Sequence, residues 1–341
     1  MYLYSEKYSK LFKLWLILSI FTVFLIISVG GLTRITNSGL SITEWELFGG
    51  ILPPLTLEKW NNYFTLYKEI PQFKILYPNM TLDEFKIIFY WEYIHRILGR
   101  FLGLFFLLPL VFFTIKKIIK REYLINFYFI FFLICLQGFI GWFMVSSGLT
   151  NDVTVSHYRL AMHLSVAFII VSLMYWNYLN FAYNQKKSLI RNFSYNYKFQ
   201  LLYLLVFLQI IFGAFVSGLD AGMIYQTWPL MGDGFFPNDS YNIKFVELLN
   251  FDNRSLVQFY HRTLAYLLYF YSIYVGYTVF NYTKKDLKKI FLTYFSFLNI
   301  QVVLGILTLI SGLNMQLSVL HQFIGVILVL TSLKLTYRIS K

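Results

Sequence analysis

Residues 123–147 read YLINFYFIFFLICLQGFIGWFMVSS and are followed by Gly148-Leu149-Thr150. The run contains no charged side chain. As a helix rising ~1.5 Å per residue it is long enough to cross the ~30 Å hydrocarbon core of a bilayer. Similar apolar runs lie at roughly 11–33, 86–115, 159–183, 199–219, 256–281, 287–312 and 318–337. The 341 residues are 58% hydrophobic and 13% charged, where a soluble globular chain carries about 25% charge. The sequence therefore predicts an all-α integral membrane protein with eight transmembrane helices.

The net charge of +13 would fit a nucleic-acid binder, but its placement argues against one. Loops assigned alternately put residues 1–14, 116–122, 184–198, 282–289 and the tail from Lys334 on one side. That side holds 18 of the 29 Lys and Arg residues and only three acids, Glu6, Glu122 and Asp286. By the positive-inside rule both termini and these basic loops are cytoplasmic. The basicity is topology and attraction to anionic lipid, with no nucleic-acid partner implied. The single cysteine, Cys135, is expected to be a small buried residue within its span. The start, MYLYSEKYSKLFK, is too short and aromatic for a transit peptide, so the first span is expected to be retained.

The segment 123–150 also shows that the chain repeats itself. Its Gly148-Leu149-Thr150 ending recurs as Gly31-Leu32-Thr33, Gly218-Leu219-Asp220 and Gly312-Leu313-Asn314. Its Gln137-x-x-x-Gly141 recurs as Gln209/Gly213 and Gln301/Gly305. Glycine caps a helix end or lets two helices approach, and recurrence on alternate spans marks tandem repeats. The even spans match as well: residues 92–96 read Glu-Tyr-Ile-His-Arg, and 258–262 read Gln-Phe-Tyr-His-Arg. The expected architecture is two pseudo-symmetric four-helix bundles, 1–184 and 185–341, joined by a basic linker from Gln185 to Lys198. Of the loops, 34–85 and 220–255 are long enough to be functional. In the first, Leu57, Trp60, Tyr63, Phe64, Tyr67 and Ile70 share a helical face that would suit the membrane surface, and Thr81-x-x-Glu84 is a capping box.

Four of the five histidines, His95, His163, His261 and His321, lie near the start of the four even spans. All four spans run from outside to inside, so the rings fall in the outer half of the bilayer, within about one and a half helical turns of one another in depth. Ionisable residues inside a membrane are costly and mark functional sites. A pair on facing helices can clamp a haem iron from both sides, whereas the plainer reading is polar side chains gluing helices together. Glu92 and His95 form Glu-x-x-His, but Gln258 breaks the second copy that a di-iron site needs. Zinc catalysis lacks a third ligand. Glu92 is the only carboxylate within a span, one turn from His95, and is a candidate for general acid–base work, the plainer alternative being a structural partner for Arg96 or Arg100. Reaction chemistry is therefore expected in the first half and haem holding in the second. His157 is expected to be a surface residue. Arg34, Arg96, Arg159 and Arg262 lie where they would either pair with haem propionates or snorkel.

Taken together, Gly30-Gly31-Leu32-Thr33-Arg34, Ser38-Gly39-Leu40-Ser41 with Glu44-Trp45, Pro53-Pro54, and Trp91-Glu92-x-x-His95-Arg96-x-x-Gly99-Arg100 resemble the heme A synthase family. So do Tyr158-Arg159-Leu160-Ala161-x-His163-Leu164 and Gly218-Leu219-Asp220-Ala221-Gly222 with Thr227-Trp228-Pro229-Leu230-Met231. The likeness runs from about residue 11 to 337 and is to the branch without paired loop cysteines. It implies oxidation of a ring methyl of heme O to the formyl of heme A by successive hydroxylations, serving terminal oxidases. It implies a haem b cofactor with His261 and His321 axial to its iron. It also implies a substrate site formed by Glu92, His95 and His163, the two histidines facing the substrate iron. The location implied is the bacterial cytoplasmic (inner) membrane. Expected partners are membrane lipids, heme O synthase and an electron acceptor, and monomer and homo-oligomer both stay open. The alternative from another class is a bis-His di-haem electron-transfer cytochrome. A transporter would need inverted or broken spans.

Overall fold

A computed structural model of the chain describes residues 3–4, 6–45, 49–150, 152–187, 197–240, 244–281 and 285–339. Most of the linker expected between Gln185 and Lys198 lies outside the described residues. Among the described residues eight helices are long and apolar enough to cross a membrane, as expected, and the chain is a multi-pass membrane protein. In chain order the helices are α1 (Ser9–Ile35), α2 (Leu57–Lys68), α3 (Pro71–Leu76), α4 (Leu82–Ile115), α5 (Arg121–Gly148), α6 (His157–Ala182), α7 (Tyr197–Gly218), α8 (Arg254–Phe280), α9 (Lys285–Ile310) and α10 (Met315–Ile339). Helices dominate because backbone polar groups in hydrocarbon must be satisfied within the chain.

The chain divides into two compact units, residues 2–170 and 171–341. The division falls inside α6, whereas the sequence reading put the junction at 184/185. The cause is aromatic packing within the second unit. Trp176 and Leu179 of α6 are buried with Leu333 and Tyr337 of α10, and the rings of Trp176 and Tyr337 meet edge-on at 4.9 Å. Trp176 also donates to the carbonyl of Lys187.

In the first unit α1 packs on α4, and α4 on α5. Where α1 begins and α4 ends, Phe12, Trp15, Phe106, Phe113 and Phe127 form a buried aromatic cluster. At the other end α4 starts with the expected capping box: Thr81 Oγ1 accepts from Glu84 N–H, and Glu84 accepts from Thr81 N–H at 2.8 Å. In the second unit α7 packs on α8 and α10, and α9 on α10. Asn253 caps α8 by accepting from Leu256 N–H.

The apolar face of residues 57–70 does not lie open for a membrane. Trp60, Phe64, Tyr67 and Ile70 are buried with Phe85, Ile88 and Phe89 of α4. Trp60 sits 4.9 Å from Phe89, and Phe64 stacks on Phe85 at 5.1 Å. Only Leu57 points away, 65% exposed. A helical apolar stripe gives the same period whether its partner is lipid or protein, so the sequence could not name the partner. Burial beside Tyr77 and Glu92 pushes the Tyr67 phenol up. It therefore stays protonated and donates to Gln72 Oε1 at 2.9 Å. Gln72 in turn donates to the carbonyls of Asn37 and Val153, tying three loops together over this end.

Two single-residue expectations are corrected. Cys135 is exposed on α5, because the span's apolar run continues around its whole circumference and does not reveal which face is inward. His157 is buried, at 7% exposure, and opens α6 with its ring against that of Tyr158. Lying outside an apolar run fixes a residue's position along the helix but not its cover by loops. Phe85→Ala should cost about 3–5 kcal/mol in denaturant unfolding of the purified protein. Leu57→Ala should change stability by less than about 0.5 kcal/mol.

Candidate functional site

The even helices project the four histidines, and the odd helices make room for them. Each ring rests at a glycine of the odd helix before it: His95 at Gly30 of α1, His163 at Gly141 of α5, His261 at Gly213 of α7 and His321 at Gly305 of α9. A Cβ at these glycines would lie 3.0, 3.0, 3.2 and 2.9 Å from the respective ring, so a side chain there would collide with the imidazole. Any larger residue would push the ring out or the helices apart. The sequence showed these glycines but not what fills the space they leave.

In the first unit His95 and His163 face one another with centroids 6.4 Å apart and planes at 64°. An imidazole nitrogen binds a first-row metal at about 2.0 Å, which places two rings flanking one metal atom roughly 6 Å apart, centre to centre. The spacing suits two axial ligands of one iron. In the second unit His261 and His321 are seated alike, each with Cε1 toward its glycine, Gly213 and Gly305. The Nδ1 atoms of His163 and His321 are buried without a hydrogen-bond partner, which is the condition of ligand nitrogens whose site is completed by another group. The residues present fit a haem in each unit. The first pair is asymmetric: His163 turns Cε1 toward its glycine, as His261 and His321 do, while His95 turns Nε2 toward Gly30.

Glu92 is 3% exposed and does not stand free. Arg96 Nε donates to its Oε1 at 3.0 Å, and Arg96 Nη2 donates to the same oxygen. Ser41 Oγ and the Ile42 N–H donate to Oε2 at 2.7 and 2.9 Å. Arg96 Nη2 also donates to the Ile42 carbonyl at 2.9 Å. The acid and its arginine together fasten the segment Ser38–Ile42 to α4. No sequence signal paired Ser41 or the Ile42 amide with Glu92, since their separation along the chain has no pattern.

The matched positions in the second unit do the same with different chemistry. Gln258, 2% exposed, donates to the carbonyl of Tyr225 at 2.8 Å. Arg262 donates to the carbonyls of Tyr225, Thr227 and Leu230. Arg96 and Arg262, read from sequence as propionate partners or snorkelling groups, are thus engaged with loops. Arg34 donates to Asn37 Oδ1, and Arg159 lies over the ring of Phe143.

Comparison with known proteins places this geometry. Residues 13–333 match the family model COX15-CtaA, described as cytochrome oxidase assembly protein. A heme A synthase of Pelagibacter ubique (strain HTCC1062) is 49% identical over 333 residues, 97% of each chain. One from Flavobacterium psychrophilum is 38% identical over 98% of this chain and 100% of its own length. One from the Wolbachia of Brugia malayi is 37% identical over 95% of both.

Gly305→Ala should displace the His321 ring and lower the haem bound per purified polypeptide by at least half. Gly138→Ala, where an added Cβ meets nothing within 4 Å, should leave haem content unchanged.

Proposed function

We propose, since the chain belongs to the COX15-CtaA family of cytochrome oxidase assembly proteins, that it is an enzyme of heme A biosynthesis and acts as a heme A synthase. The observation that carries this is the 49% identity over 97% of both chains to a relative bearing that name. It is joined by four histidines seated at glycine notches, two of them, His95 and His163, facing one another at 6.4 Å.

In this reading His95 and His163 flank the iron of heme O, whose apolar tail leaves toward lipid. The methyl carbon gains one oxygen from water and gives up two pairs of electrons with the matching protons, by two hydroxylations and loss of water from the hydrated aldehyde. The class is an oxidoreductase acting on a CH group. Positive character grows on the carbon as electrons leave, and a fixed negative charge nearby lowers that barrier. Glu92 supplies such a charge on the side of Oε2, with Arg96 compensating it at Oε1. Both its oxygens already accept hydrogen bonds, so taking a proton would require releasing Ser41, Ile42 or Arg96. The geometry therefore favours the anion over the general base, and by holding Ser38–Ile42 on α4 Glu92 also shapes the cover of the site.

In the second unit His261 and His321 would hold haem b, which supplies one-electron transfer when bound. Gly213 and Gly305 set the ring positions there. The positive-inside pattern supports cytoplasmic termini, with the histidines in the outer half of a bacterial inner membrane. Heme O synthase as donor and an external electron acceptor complete the expected partners.

Glu92→Gln should keep haem b and lower heme A formation by about 100-fold or more; heme A at the normal rate in pigment extracts would overturn the role given to the carboxylate. His261→Ala should remove the low-spin b-type absorbance, and an unchanged spectrum would refute the cofactor assignment.

A further inference from the structure

The mechanism above leaves three glutamines unused. Gln137, Gln209 and Gln301 each stand one helical turn before a notch glycine. Each amide nitrogen reaches the histidine seated in that notch. Gln137 Nε2 donates to the main-chain carbonyl of His163 at 2.9 Å. Gln209 Nε2 donates to the main-chain carbonyl of His261 at 3.0 Å and lies 3.1 Å from its Nδ1. Gln301 Nε2 lies 3.2 Å from His321 Nε2. The three Oε1 atoms are buried and have no hydrogen-bond partner among the described residues, and neither has Nδ1 of His163 or His321.

An imidazole that binds a metal through one nitrogen keeps a proton on the other, and that N–H needs an acceptor. The structure brings the rings of His261 and His321 an amide side chain from the preceding helix whose oxygen is buried and has no partner among the described residues. The terminal torsion of glutamine is soft, and its two ends are interchangeable in shape. A half-turn presents oxygen to the rings of His261 and His321 where nitrogen now lies, and at Gln209 it exchanges the bond to the His261 carbonyl for one to the ring. On α1, Ile26 stands one turn before Gly30, and among the described residues His95 has no such amide.

We propose that Gln209 and Gln301 are positioning residues that accept the second N–H of the imidazoles of His261 and His321 and so tune the iron between them. The proposal rests on the reading that haem is held by these histidines. An acceptor on the distal nitrogen makes imidazole a stronger donor and favours ferric iron. Removing it raises the midpoint potential, and a tenfold loss of ferric preference corresponds to about 59 mV for one electron.

The test is redox titration of purified protein, wild type against Gln209→Leu, Gln301→Leu, Gln209→Glu and His261→Ala. The leucine variants should shift the midpoint of the low-spin haem upward by about 59 mV or lose the haem. Gln209→Glu, which keeps an acceptor, should hold haem at or below the wild-type midpoint. Wild-type midpoints in both leucine variants, or equal haem loss from Gln209→Leu and Gln209→Glu, would overturn the role. A haem spectrum unaffected by His261→Ala would instead bring down the ligand reading itself, and this inference with it.

Discussion

A histidine ring among packed helices needs a place to stand, and here each place is a missing side chain on the neighbouring helix. That steric condition organises both units. It fixes which odd helix lies against which even helix and how closely their backbones approach. It also fixes the rings at a definite height along each helix. Glycine is required by close contact, with added Cβ atoms coming 2.9–3.2 Å from the imidazoles. Because interiors pack densely and relax only in part, the position of the rings follows directly from four glycines.

The second constraint is polar. Hydrocarbon offers nothing to hydrogen-bond, so each buried polar group must find its partner in the chain. At the loop end of α4 the Glu92–Arg96 pair meets this by binding Ser41 and both backbone groups of Ile42. At the start of α8, Gln258 and Arg262 bind loop carbonyls. Breaking a buried ion pair by removing one partner typically costs about 3–5 kcal/mol. The loop over the first site is therefore held by the same carboxylate that gives the site its charge, and a variant at Glu92 alters cover and electrostatics together.

The eight spans were legible because length and apolarity alone decide them, and the four histidines because they stand out against that background. The Thr81 cap was legible because its partners are three residues apart. What was hidden depends on contacts distant in sequence. The buried face of α2 has the same period against lipid as against Phe85 and Phe89. His157 is buried at the start of α6 despite lying outside the apolar run. The start of the second unit within α6 follows from Trp176 meeting Tyr337, which neither residue announces. The Gln-x-x-x-Gly repeats were visible as a pattern, but their meaning needed the rings seen in the notches.

On the proposed reading, charge at the matched positions suits the two units to different uses. Glu92 and Arg96 together are neutral, while Gln258 and Arg262 together carry one positive charge balanced only by carbonyl dipoles. A haem carries two carboxylates, and a net cation near its edge holds it more firmly than a neutral pair does. On the proposed reading, the position held by Gln258 and Arg262 suits a resident haem, and the position held by the Glu92–Arg96 pair suits one that must leave after reaction. The rings agree with this division. His261 and His321 both have an amide side chain at the imidazole, whereas His95, beside Ile26, has none among the described residues and sits in its notch the other way round. A ligand with weaker support on one face is what a site needs if its substrate is to be released.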